Sequence, residues 1–158
     1  MVTINDIMGS GEDKFSDFDL TEIQEILQHL ASDQLSDIPH AEMVQVKTLR
    51  AADLLSEYLS RIVKTTSMLE SKVSSLKNKV ALEYDPGSKV TADMRKYASE
   101  SDPDVVALQE TLARAKGAKA LLEKKYDVII KYHHHAKDIT QGLRKTILGH
   151  SPVDTGGW

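Results

Sequence analysis

The sequence predicts an all-α protein whose main element is a long antiparallel helical hairpin with coiled-coil-like packing. The first observation is a ladder of eight positions in which steps of 4 and 3 alternate and only Thr66 is not aliphatic. An apolar position every 3.5 residues is the spacing of a coiled-coil seam, and one helix cannot bury such a stripe alone. The second observation is the low aromatic content, 5%, which is typical of long-helix proteins. The ladder consists of Leu55, Leu59, Ile62, Thr66, Leu69, Val73, Leu76 and Val80.

Capping and turn residues indicate where each helix begins. Asp19 is a suitable N-cap, and Glu22 three residues later completes a capping-box pattern, so a short helix is expected there. Between Pro39 and Pro86 the chain has no glycine or proline, and this predicts a helix of about 45 residues. Pro39 suits the first turn of that helix because its fixed backbone angle is already helical.

The second half of the chain repeats this arrangement after a connector. A short helix is expected from Thr91 to Glu100, and Asp102 with Pro103 then starts a second helix of about 45 residues that ends near Leu148. Two long helices joined by a short connector form an antiparallel hairpin. The predicted divisions are an acidic N-terminal arm with a short helix (1–38), the hairpin (39–148) with its tip connector (85–102), and a flexible C-terminal tail (149–158).

The hairpin is expected to assemble further. Lys119, His133 and Thr140 interrupt the ladder of the second helix, and a two-helix hairpin has too little interior to cover its apolar flanks. We therefore expect a homo-oligomer, either a multi-subunit ring or a bundle. The residues predicted to hold it together are Leu55, Leu59, Ile62, Leu69, Leu122, Ile129, Leu143 and Ile147.

Composition restricts the class of protein. The chain has 158 residues, enough for one domain, and no cysteine, which excludes a disulfide framework and a thiolate metal site. No apolar run approaches the ~18 residues that span a bilayer, and the N-terminus does not resemble a signal peptide. We expect no membrane partner and a cytoplasmic protein, in the host cell cytoplasm if a phage encodes it.

Charge is unevenly distributed along the chain. Residues 1–40 contain nine acids and one base, whereas the remaining residues contain 15 acids and 19 bases. Such asymmetry is typical of a basic body that meets a polyanion and an acidic arm with another role, although an ordinary solvated acidic helix gives the same pattern. On the first long helix, Lys72, Lys77 and Lys79 cluster near the tip. They are candidate phosphate contacts, or the solvated face of a lysine-rich helix.

No catalytic pattern is present in the sequence. There is no Gly-rich phosphate loop, no His-Glu-x-x-His and no nucleophile elbow, so we expect neither an enzyme nor a cofactor. Residues 133–135 are three consecutive histidines, which diverge by about 100° each on a helix and cannot together bind one ion. We therefore predict no metal site within one chain, and an intersubunit metal or pH-sensitive site stays an alternative.

Four segments occur in a fixed order along the hairpin: Lys77-Asn-Lys79-Val-Ala-Leu-Glu-Tyr84, Asp93-Met-Arg95-Lys-Tyr97, Ser101-Asp-Pro-Asp104-Val105 and Asp138-Ile139. In their order and spacing they resemble the UvsY-like phage recombination mediators. The similarity covers about residues 40–145.

The resemblance implies a non-enzymatic accessory protein that binds single-stranded DNA as a ring-like oligomer of six or more subunits. Such mediators help a RecA-type recombinase to displace single-strand-binding protein. In the family, basic residues just before the hairpin tip contact DNA, and Lys77 and Lys79 lie at about that position. We extend the predicted site to Lys72, Arg95 and Lys96. The acidic arm has no counterpart in the family, so its role is open.

A structural protein is the alternative. The two ladders suit a coiled-coil component of a virion tail, neck or scaffold equally well, and the net charge of −4 favours it. The lysine cluster favours the mediator.

Overall fold

The computed structural model describes residues 18–32, 35, 37–87 and 89–149, and these contain four helices. They are α1 (Thr21–Ser32), α2 (Ile38–Glu83), α3 (Ala92–Ser101) and α4 (Pro103–Gly149). α2 and α4 pack along each other, and α3 lies against both at the tip. The predicted fold class, a long helical hairpin with a short N-terminal helix, is confirmed. Residues 1–17 and the tail from 150 to 158 lie outside the described residues, as do the predictions made for them.

The helix ends follow from local hydrogen bonds. Asp37 caps α2, because its carboxylate accepts from the amide of His40 at 2.8 Å. At the other end of α2, Gly87 adopts a φ of 70°, a conformation that favours glycine, and its amide donates to Asp85. Thr91 caps α3 through the amide of Met94, at 3.3 Å. The predicted N-cap of α4 is present, because the Asp102 carboxylate accepts from the amides of Asp104 and Val105.

The start of α1 differs by one residue from the expected capping box. The carbonyl of Leu20 accepts the first helical bond, from Gln24, while the Asp19 carboxylate accepts from the Thr21 amide at 2.9 Å. Glu22 does not turn back to the N-cap. It pairs with Arg50 of α2 at 2.8 Å, because α1 packs on α2 and brings the guanidinium within reach.

The core lies along the seam between α2 and α4 and widens to three helices where α1 joins them. Leu55 and Ile62 of α2 and Leu122 and Ile129 of α4 are completely buried. Buried alanines lie on α4 on either side of this pair, at positions 115, 118 and 136, and small side chains let the two backbones approach closely. Leu20, just before α1, and Ile23 of α1 are also completely buried. Next to them Phe18 packs on Tyr58, with ring centroids 4.8 Å apart.

Four of the residues predicted to join subunits have a different role. Leu55, Ile62, Leu122 and Ile129 are completely buried within a single chain, so they cannot reach a second copy while the hairpin is closed. A seam spaced every 3.5 residues looks the same whether its partner helix belongs to the same chain or to another one. Of the other four, Leu59, Leu69 and Leu143 are half-buried and Ile147 is 63% exposed.

Polar pairs cross the seam at defined positions. Gln45 donates from Nε2 to Oγ1 of Thr140 at 2.8 Å, and Thr48 Oγ1 lies 3.2 Å from Nδ1 of His133. The positions that interrupt the ladder therefore have partners: Thr140 is buried and His133 half-buried. Two ion pairs join the helices on the outside, Glu42–Arg144 near the base and Glu70–Lys116, 2.8 Å apart, towards the tip.

Shortening a seam residue should destabilise the fold. We expect Leu55→Ala to lower the free energy of unfolding by about 2–5 kcal/mol, since the side chain is completely buried and leaves a cavity. Leu82→Ala on the same helix is the control, because Leu82 is 75% exposed and its loss should cost less than about 0.5 kcal/mol. Urea unfolding followed by circular dichroism measures both. Equal effects of the two substitutions would contradict the assigned seam.

The Thr48–His133 pair should contribute measurably as well. Oγ1 of Thr48 lies 3.2 Å from Nδ1 of His133 and within hydrogen-bond distance of two carbonyls of its own helix, at 2.8 and 2.9 Å. Thr48→Val leaves the partly buried imidazole nitrogen without its partner, and we expect a cost of about 1–3 kcal/mol. The control is Thr65→Val, because the Thr65 hydroxyl bonds only within α2. If both changes cost the same in urea unfolding, the pair across the seam contributes nothing.

Candidate nucleic-acid-binding surface

The three lysines predicted near the tip of α2 do not form one cluster. Lys72 and Lys79 are exposed, whereas Lys77 is half-buried. A helix turns by about 100° per residue, so Lys77 and Lys79 differ by about 200° and lie on opposite flanks of the helix. Lys72 and Lys79 are seven residues apart, which places them on the same flank about 10.5 Å from each other. Lys72 and Lys79 therefore form the pair that one ligand can contact.

The connector helix α3 presents the rest of the predicted site. Arg95 and Lys96 are exposed on it, and its buried residue, Ser99, donates to the carbonyl of Lys96 at 2.8 Å. Between the two cations and the end of the helix lies Tyr97, whose side chain is 74% exposed. Exposed aromatic rings are the surfaces on which bases of single strands stack. Tyr97 differs in this respect from Tyr126 and Tyr132, which pack against the core.

Acidic residues offset the positive charge at the tip. Residues 71–82 contain no acid, and Glu83 is the first acid after them. Glu83 lies 3.9 Å from Lys79, one helical turn further along α2. Such an exposed pair contributes about 0–1 kcal/mol, so it does not hold Lys79 away from a ligand. Over residues 70–116 the chain has eight bases and eight acids. Any attraction of a polyanion to the tip is therefore local.

The second half of α4 is richer in positive charge. Between residues 119 and 145 it carries seven bases and three acids. Lys119 pairs with Glu123 at 3.6 Å and Arg144 pairs with Glu42 of α2. Burial of Lys125 lowers the pKa of its ammonium, because a desolvated environment disfavours the charged form. The sequence showed this excess of bases, but none of these residues was included in the predicted site.

The three histidines do not form a metal site within the chain. His133 points into the seam towards Thr48, while His134 and His135 are exposed. The rings of His133 and His134 meet edge to face, with centroids 5.8 Å apart. Within the described part of the chain, no three His, Asp or Glu side chains come close enough to hold an ion.

The Asp19 carboxyl is hydrogen-bonded to Thr21, the first residue of α1. Its side-chain and backbone hydrogen bonds with Thr21 lower the pKa of the carboxyl, since they favour the charged form. A carboxyl with a lowered pKa stabilises the folded state at neutral pH, and that contribution is lost as the pH falls through the folded-state pKa.

One groove of about 360 Å³ lies between α1 and α2. Its apolar floor includes Ile26, Met43 and Val46, and charged groups line its rim. No acid–base pair or nucleophile with an adjacent base lines it, so its geometry does not indicate a reaction.

The fold and surface together define a class of protein. It is an all-α hairpin with polar pairs across its seam, cationic side chains at its tip and an excess of bases on the second half of α4. Comparison with family models, with curated proteins and with solved structures gives no significant match. None of the described helices is both long enough and apolar enough to cross a membrane.

Proposed function

We propose that the protein is a non-enzymatic recombination mediator that binds single-stranded DNA as a homo-oligomer in the cytoplasm. In this role it helps a RecA-type recombinase to replace single-strand-binding protein. The observation that carries the proposal is the set of exposed groups at one end of the hairpin, Lys72 and Lys79 on α2 with Arg95, Lys96 and Tyr97 on α3. Cations for phosphates and an exposed ring for a base are what a sequence-tolerant single-strand site requires.

Exposed apolar side chains support self-association. Val46 and Leu49 are at least half exposed at the base of α2, and Ile147 and Leu148 at the end of α4 are exposed to 63% and 73%. Since α2 and α4 are antiparallel, both groups lie at the same end of the hairpin. Exposed apolar side chains gathered at one end of a protein are typical of contacts between subunits. The base is therefore the proposed site of oligomer contacts, at the opposite end from the tip cations.

The alternative is a coiled-coil structural component of a virion. The same hairpin and the same apolar base suit a tail, neck or scaffold protein. The pairing of many surface charges within the chain, for example Glu42 with Arg144 and Glu70 with Lys116, favours this alternative, because paired charges attract a polyanion less. The two functions differ in whether the protein binds an oligonucleotide.

The mediator should bind a fluorescent single-stranded oligonucleotide tightly at low salt and weakly at high salt. Each neutralised phosphate releases counterions, so the logarithm of the affinity falls with the logarithm of the salt concentration by about 0.7 per phosphate. Fluorescence anisotropy over a salt series measures this slope, and light scattering on the same samples gives the subunit number. A protein that forms an oligomer but shows no binding at low salt would support the structural alternative and contradict the mediator.

The tip should contribute a defined part of that slope. We expect the double variant Lys72→Ala and Lys79→Ala to reduce the magnitude of the slope by about 1.4, because two phosphate contacts are lost at about 0.7 each. The matched control is Lys47→Ala with Lys64→Ala, which removes the same charge from exposed positions elsewhere on α2.

Two further measurements make the tip result specific. The subunit number should stay at the wild-type value in the tip variant, because Lys72 and Lys79 lie towards the opposite end of the hairpin from the proposed oligomer contacts. Tyr97→Leu should weaken binding at every salt concentration without changing the slope, since it removes stacking and no charge. Equal slopes for the tip and control variants would place the site elsewhere on the protein.

A further inference from the structure

A row of lysines runs along the outer side of α4. Lys124, Lys131 and Lys145 are exposed, and they are separated by seven and fourteen residues. Multiples of seven return to almost the same direction on a helix, and Lys131 lies about 200° from the buried Ile129. The three ammonium groups therefore point away from the seam. The row is about 32 Å long at 1.5 Å per residue. We call it the α4 lysine row.

The charges of this row are not used inside the chain. Within the part of the chain that the structure describes, the ion pairs of this half of α4 involve Lys119 and Arg144, neither of which belongs to the row. Two acids, Asp127 and Asp138, share the outer side with three lysines and two histidines. The described acids of α1 lie away from it, because Glu22 pairs with Arg50 and Glu25 lines the groove on α2.

The spacing of the row suits a flexible polyanion. Lys124 and Lys131 are about 10.5 Å from each other, close to the Debye length of ~8–10 Å at moderate salt, so their fields overlap, and Lys145 lies about 21 Å beyond Lys131. A ligand that follows the row must carry repeated charge over about 32 Å, and a phosphate backbone does so. Tyr126 and Tyr132 pack against the core, so the described exposed rings on this surface are the imidazoles of His134 and His135. The charges of the row are placed to contact phosphates.

We propose that the α4 lysine row is a second binding surface for the backbone of single-stranded nucleic acid. It holds the strand along the outside of the hairpin, while the tip contacts its bases. This inference rests on the proposed function and extends it. The tip has no net charge over residues 70–116, whereas residues 119–145 carry four more bases than acids. Long-range attraction of a polyanion therefore comes from α4, and the tip acts at short range.

The test compares two double variants that remove equal charge. Lys124→Ala with Lys131→Ala should reduce the magnitude of the salt slope for a single-stranded oligonucleotide by about 1.4, while Lys47→Ala with Lys64→Ala should leave it at the wild-type value. Lys124→Arg with Lys131→Arg keeps both charges and should restore the slope. Circular dichroism checks that each variant keeps its helices, which we expect because both lysines are exposed.

The outcomes separate the two proposals. If the wild type binds, the tip variant weakens binding and the α4 variant matches the control, the lysine row is not a binding surface and the mediator proposal stands. If the wild type does not bind at low salt, both proposals fail. If polyglutamate displaces the oligonucleotide as well as an unlabelled strand of equal charge does, the row accepts acidic peptides in general and the assignment to nucleic acid is overturned.

Discussion

The structure depends on the alignment of two helices of 46 and 47 residues along one narrow seam. An apolar seam repeats every seven residues, so sliding one helix by about 10.5 Å would again place aliphatic side chains opposite each other. The polar pairs remove this ambiguity. Thr48 with His133 and Gln45 with Thr140 can form only in one alignment, and a shifted seam would leave partly buried donors without acceptors.

This constraint determines where function can reside. One face of each long helix is buried in the seam, and α1 covers part of the hairpin at the base only. The remaining faces of α2 and α4 and the short helix α3 are exposed along most of their length. The described part of the chain therefore offers long open surfaces. Such surfaces can contact an extended partner or further copies of the same hairpin.

Local signals made the fold predictable from the sequence. Pro39, Pro86 and the Asp102-Pro103 pair act within a few residues of the helix ends they define, and the 4-and-3 alternation acts over one helix. The burial of Leu55 and Ile62 within one chain was less predictable. Heptad spacing indicates that a helix has a partner helix, but it does not indicate which chain supplies that partner. The same applies to His133: its place on the ladder was visible, but its hydrogen bond depends on a residue 85 positions away.

The site was predicted less well than the fold, and the reason is geometric. Lys77 and Lys79 are neighbours in the sequence but lie on opposite flanks of α2, whereas Lys72 and Lys79 share a flank. The stretch of residues 71–82 has no acid, yet Glu83 lies one helical turn from Lys79 and pairs with it. Side chains share one face of a helix when they are three, four or seven residues apart. Lysines that are merely close in sequence therefore lie on different faces.

The net charge of −4 is a poor guide to what the hairpin attracts. At moderate salt a charge acts over a Debye length of ~8–10 Å, while each long helix extends about 70 Å. A phosphate group near Lys131 therefore responds to the outer side of α4, where bases exceed acids, and is screened from acids at the opposite end of the hairpin. The described acids of α1, Glu22 and Glu25, lie against α2 and not on this side of α4. The arrangement of charge on each face, and not its sum over the chain, decides which partners the two long helices can hold.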